Sequence, residues 1–91
     1  MVIQPITNIL FHHYGEEAVI LNLNTERYFS LNEIAIRMWD VLSTTESFES
    51  ACALIADEYE APLDVIQADV TVFIKSLQEA GIVEHSQSAP S

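Results

Sequence analysis

The chain is 91 residues long and 49% hydrophobic, enough for one compact core but not two, since a domain of this size buries about 60–70% of its unfolded surface. Three Lys and Arg stand against 14 Asp and Glu, and the formal charge of −11 repels phosphate backbones and favours cationic or neutral partners. A single cysteine, Cys52, excludes an internal disulfide and a multi-thiolate zinc site.

No apolar run approaches the ~18–20 residues that span a bilayer, and Met1 to Thr7 lacks the basic start and long apolar stretch of a signal peptide. The expectation is a cytoplasmic protein with no membrane partner. Residues 1–7 read as an N-terminal arm, residues 8–84 as the folded domain, and the polar residues 85–91 as a disordered tail.

Residues Ile9 to Tyr14 are aromatic and β-branched in character, Tyr14-Gly15-Glu16-Glu17 supplies a turn, and Ala18 to Leu23 is a second apolar run, so the three segments predict a hairpin. Within the second run Val19, Leu21 and Leu23 share one face and Ala18, Ile20 and Asn22 the other, and one of these sets meets a core. After the polar turn Asn24-Thr25-Glu26, residues Arg27 to Ser30 form a short third strand, placed at an edge with unpaired backbone groups.

The first helix starts within Ser30-Leu31-Asn32-Glu33, with either Ser30 in an S-x-x-E capping box or Asn32 as the N-cap. Leu31, Ile34, Ala35, Met38, Trp39 and Leu42 then repeat at the spacing of one buried face, with Trp39 expected between helices and sheet. Thr44 to Ser47 breaks that helix and caps a second one, whose stripe is Phe48, Cys52, Ile55 and Tyr59. Pro62 suits the first turn of a third helix with the stripe Ile66, Val70, Phe73 and Leu77, flanked by Ile74. Gly81 is placed to end it in a left-handed cap, and Ile82-Val83 to add a short last strand. The fold class that follows is α+β: a winged-helix-like domain with a three-stranded antiparallel sheet followed by three helices.

Catalytic chemistry finds no foothold. His12 and His13 are adjacent in a strand, point to opposite faces and have no further His or Cys cluster with which to hold a metal. Cys52 sits on an apolar helical stripe and reads as an inert buried thiol. Gly15 and Gly81 are too far apart to build a phosphate loop, and Asp57, Glu58 and Glu60 read as a solvated helix end rather than a desolvated acid–base pair. The expectation is a protein that is not an enzyme, with no catalytic residues, no metal and no cofactor.

The order of strand, turn, Arg27-Tyr28-Phe29-Ser30-Leu31-Asn32, a helix carrying Trp39, a second helix and Phe73-Ile74-Lys75-Ser76-Leu77-Gln78-Glu79-Ala80-Gly81-Ile82-Val83 resembles the PqqD-like family of peptide-recognition modules, over roughly residues 8 to 84. Pattern alone leaves Arg27, Tyr28 and Phe29 open between a strand with one aromatic in the core and one on the surface, and an edge that accepts an extended peptide. The resemblance implies the second, with a ribosomally synthesised precursor's leader segment added as a strand and delivered to a modifying or processing enzyme. It implies a peptide-binding strand at Glu26, Arg27, Tyr28 and Phe29. It implies a wall from the third helix, for which Val65, Asp69, Val72 and Ser76 are the candidates, being the face beside the core stripe. The enzyme partner it implies is a radical SAM enzyme, a cysteine protease-like leader peptidase or a cyclase, in quinone-cofactor, lasso-peptide or related pathways.

Three rivals come from other classes. DNA binding by a winged helix needs several cations on phosphates, and the chain has only Arg27, Arg37 and Lys75. An acidic carrier protein needs a serine preceded by an acid at a helix start, and Ser30-Leu31-Asn32 lacks it. A protein–protein adaptor or dimerisation module without a leader ligand is the remaining alternative.

Overall fold

The computed structural model describes residues 3–84. Three strands, β1 (Ile9–Tyr14), β2 (Glu17–Asn22) and β3 (Tyr28–Leu31), precede three helices, α1 (Glu33–Thr44), α2 (Phe48–Tyr59) and α3 (Leu63–Glu79). The sheet is antiparallel in the order β1-β2-β3, so β2 is central and β1 and β3 are its edges. This is the α+β layout of the sequence reading, with β2 and β3 each shifted by one residue.

Turn chemistry sets the hairpins. Tyr14 pairs with Glu17 across a two-residue turn in which Gly15 adopts φ +66°, a left-handed conformation that suits a residue without a side chain. Alternation then sends Ala18, Ile20 and Asn22 of β2 inward, all three buried, while Leu23 is left exposed. Asn32 rather than Ser30 caps α1: its side chain accepts from the Ala35 N–H at 2.9 Å, and Ser30 is still in β3. Ser47 caps α2 through the Ser50 N–H, and α3 follows Pro62 directly.

The core lies between the inner sheet face and the helices, with Ile20, Leu31, Leu42, Ile55 and Leu77 fully buried. On α3 the buried residues are Ile66, Val70, Phe73 and Leu77, the expected stripe. Gly81 at φ +75° closes this helix, and the Ile82 N–H donates back to the Leu77 carbonyl at 2.9 Å. The segment read as an arm is docked: Ile3 is buried, the Ile6 N–H donates to the Ile82 carbonyl, and the Glu84 N–H donates to the Gln4 carbonyl. Ile82 and Val83 therefore contribute one isolated bridge, Pro5 to Val83, and not a strand. The tail expected at 85–91 lies outside the described residues.

Two core expectations need correction. Trp39 is only half-buried, because α1 buries Met38, Val41 and Leu42, and Trp39 lies roughly 100° around the helix from Met38. Tyr59 is 40% exposed at the end of α2, whose buried face is Ala51, Cys52, Ile55 and Ala56. In α2 small or β-branched residues take the close-packed positions, in α1 Met38, Val41 and Leu42 do, and in both the large aromatic sits on the flank.

Candidate functional site

The hydrogen-bond phase of β3 decides what its free edge offers. The Asn22 N–H donates to the Arg27 carbonyl at 2.8 Å, and with Leu21 opposite Tyr28 and Ile20 opposite Phe29 the ladder alternates from there. Phe29 and Leu31 turn their backbone groups toward β2. Tyr28 and Ser30 turn theirs outward, where no described strand pairs with them. Side chains alternate too: Phe29 and Leu31 point inward, while Tyr28, 67% exposed, lies on the outer face.

The turn that delivers the chain to this edge is fixed from within. The Asn22 side-chain oxygen accepts from the Asn24 and Thr25 N–H groups at 2.8 and 3.1 Å, and its Nδ2 donates to the Gly81 carbonyl at 2.8 Å. Glu26 completes the turn at φ 63°, a left-handed backbone held by its N–H donating to the Asn22 carbonyl.

Beside the edge runs an open groove of about 300 Å³. Phe29 and Phe73 form its aromatic side, with ring centroids 6.2 Å apart. Ser30, Leu31, the start of α1 at Asn32 and Ala35, and Glu17 complete its lining. Of the eight residues singled out in the sequence, Phe29 lines this groove. Val65 and Val72 are exposed, at 48% and 64%, Asp69 is exposed and Ser76 half-buried. These four form one strip of α3 adjoining Phe73, roughly 100° from the centre of the buried stripe. Glu26 and Arg27 are exposed ahead of the edge. From the sequence, Ser30 is legible as the end of the edge strand and Phe73 as core alone, while Asn32 and Ala35 are not legible as groove residues. The signal was there for Phe73, the single aromatic residue on α3.

The remaining chemically active side chains do not gather. His12 and His13 are exposed, and among the described residues no three His, Cys, Asp or Glu come close enough to hold a metal ion. Cys52 is fully buried, and its desolvation, with a smaller push from Glu49, raises the thiol above its ordinary value, away from the nucleophilic thiolate. Glu58 is held by Arg37, whose Nε and Nη2 donate to it at 2.8–3.0 Å, and Arg37 also bridges Asp40 at 2.7 Å. That hydrogen bonding lowers the Glu58 carboxyl below the usual glutamate range. No described helix is long and apolar enough to cross a membrane.

Two solved structures share this fold. "TbiB1 in Complex with the TbiA(beta) Leader Peptide" superposes with a TM-score of 0.82 at 24% identity, over 93% of this chain and 99% of that one. "Lasso peptide synthetase B1 complexed with the leader peptide" gives 0.84 at 20% identity, over 93% of this chain and 100% of that one. No curated protein sequence matches the chain. The sequence pattern of the family described as coenzyme PQQ synthesis protein D (PqqD) matches residues 17–83, from β2 through the residue that bridges Pro5, and the chain belongs to that family.

Proposed function

We propose that this protein is a non-catalytic chaperone that binds the leader segment of a ribosomally synthesised precursor peptide by strand addition on β3. It presents that precursor to a maturation enzyme, a radical SAM enzyme, a leader peptidase or a cyclase, in the cytoplasm. The observation that carries this reading is the open β3 edge, with outward backbone groups at Tyr28 and Ser30, running beside the Phe29–Phe73 groove. Backbone pairing supplies affinity that tolerates sequence, and pockets alongside the strand supply choice. Two proteins of the same fold were solved with leader peptides, which supports the same occupant here.

In this reading Tyr28 and Ser30 pair with the leader backbone, Phe29 and Phe73 receive an apolar leader side chain, and Glu26 and Arg27 meet the strand's end. Val65, Asp69, Val72 and Ser76 form the helical wall, with Asp69 available to a basic leader residue. Isothermal titration with the synthetic leader of the cognate precursor tests it. Ser30→Pro removes one outward N–H and places a ring where the incoming strand must lie, while leaving the β2 ladder intact. Binding by the wild-type protein and at least tenfold weaker binding by Ser30→Pro is the expected result. Equal affinity of the two proteins refutes strand addition on β3.

A further inference from the structure

The sheet has a second free edge, and a groove lies beside that one too. The Leu23 N–H donates to the Asn8 carbonyl at 2.9 Å, and Leu10 stands opposite Leu21, so Leu10 and His12 turn their backbone groups toward β2. Ile9, Phe11 and His13 turn theirs outward, and no described strand pairs with them. Next to this edge opens a groove of about 680 Å³ between β1 and the flank of α1. Phe11 and His13 line it from the strand, their rings 4.8 Å apart; Trp39 meets Phe11 at 6.0 Å; Tyr59 closes it from the end of α2. The half-buried state of Trp39 has its cause here: one face packs on the protein and the other is a groove wall.

The charges at the rim select the occupant. Glu33 lines the groove, is exposed, and has no ion-pair partner among the described residues. Arg37, the cation nearby, is held by Glu58 and Asp40, so it does not repel a second cation. A Lys or Arg side chain entering between the Glu33 carboxylate and the aromatic faces of Trp39 and Phe11 meets both an ion partner and a π surface.

We infer that the β1–α1 groove is a second peptide-docking site, which takes an extended, basic segment of the maturation enzyme as a strand on β1. The inference rests on the leader-binding reading, because a presenting protein must hold leader and enzyme together. β1 and β3 flank one central strand, roughly 10 Å apart, so both edges fill at once without collision. A second copy of this chain is a poor occupant: it carries −11 charges and three basic residues, one of which, Arg37, is already paired.

Trp39 is the chain's single tryptophan, so 5-fluorotryptophan labelling of the full-length protein places one ¹⁹F reporter in the groove. Titrating in the purified, unlabelled cognate maturation enzyme shifts that resonance, and adding the synthetic leader leaves it in place. Glu33→Lys lowers affinity for the enzyme at least tenfold and keeps affinity for the leader within twofold. Glu33→Gln, the milder change, gives a smaller loss in the same direction, and circular dichroism checks that both variants fold. Enzyme binding that leaves the Trp39 signal unmoved and ignores Glu33→Lys overturns the inference, as does displacement of leader by enzyme, or a dimer in sedimentation that Glu33→Lys abolishes. Absence of leader binding by the wild-type protein is a separate readout. It refutes the leader reading while the enzyme titration still reports on the groove.

Discussion

Asn22 is the single buried polar residue among those described, and all of its side-chain hydrogen bonds go to backbone. It joins three pieces that are distant in sequence: the end of β2, the turn that launches β3, and Gly81 beyond α3. Replacing it by Ala leaves two turn N–H groups and the Gly81 carbonyl without partners, at about 1 kcal/mol each. The expected cost is ~2–3 kcal/mol, a fall in Tm of about 10–20 °C for a domain of this size, read by thermal melts. Gly81 is under the same constraint from the other side, since a Cβ there would sit 3.3 Å from the Asn22 amide nitrogen on a left-handed backbone. Trp39 gives the opposite lesson. A fully buried aromatic costs ~3–5 kcal/mol when cut to Ala, and a buried leucine ~2–5. With one face open, Trp39→Ala is expected to lower Tm less than Leu42→Ala, whose side chain has no exposure. Melts in the reverse order would mean that the aromatic groove is part of the core.

At the scale of elements, α3 presents two faces, one in the core and one proposed for the leader, and the two can be tested separately. Ile66, Val70, Phe73 and Leu77 are buried in the core, while Val65 and Val72 stand exposed on the neighbouring face. Val72→Asp leaves the core untouched and puts a carboxylate in the proposed apolar wall. Leader affinity is expected to fall tenfold or more, about 1.4 kcal/mol, with unchanged circular dichroism; unchanged affinity in titration calorimetry would remove the helix from the site. The pairing of α1 with α2 has its own signature. Because Arg37 lowers the Glu58 carboxyl, the ion pair contributes stability above the ordinary glutamate range and loses it as pH falls through the lowered value. Glu58→Gln is therefore expected to melt below wild type at neutral pH, the two curves meeting once Glu58 is protonated, as melts across pH 7 to 3 will show. The same division explains what the sequence revealed. Strand alternation in Ala18–Asn22 and the alternating four- and three-residue spacing of Ile66, Val70, Phe73 and Leu77 are repeated signals, and they locate the sheet and α3. Trp39 and Tyr59 share their stripe's spacing but lie on its flank, and spacing alone does not say which apolar residue wins the tightest packing. The β3 edge was legible through turn and length. The outward phase at Tyr28 and Ser30 was not, because it depends on the Asn22–Arg27 hydrogen bond.

The whole molecule is a thin layer of three strands backed by three helices, and its charge decides which of the uses open to such a fold remain. A winged helix that grips DNA neutralises several phosphates, and its affinity scales with the number of cations it brings. Here the chain has Arg27, Arg37 and Lys75 against 14 carboxylates, and Arg37 is occupied by Glu58 and Asp40. Among the described residues Arg27 and Lys75 are the cations outside these ion pairs, and two cations cannot offset the repulsion of a chain at −11. The expected outcome is no retardation of a 30-base-pair duplex by micromolar protein, even at 50 mM salt, where electrostatic binding is strongest. A shift at that salt that vanished at 200 mM would point to phosphate contacts and revive the DNA reading. The same field acts in reverse on a basic segment, raising its local concentration around the sheet edges before any contact forms. Its association rate with this protein should therefore fall steeply as salt rises while its dissociation rate changes little, and stopped-flow mixing at 20 and 500 mM salt separates the two. A dissociation rate that carried the whole salt dependence would place the attraction in the bound contacts and not in the approach.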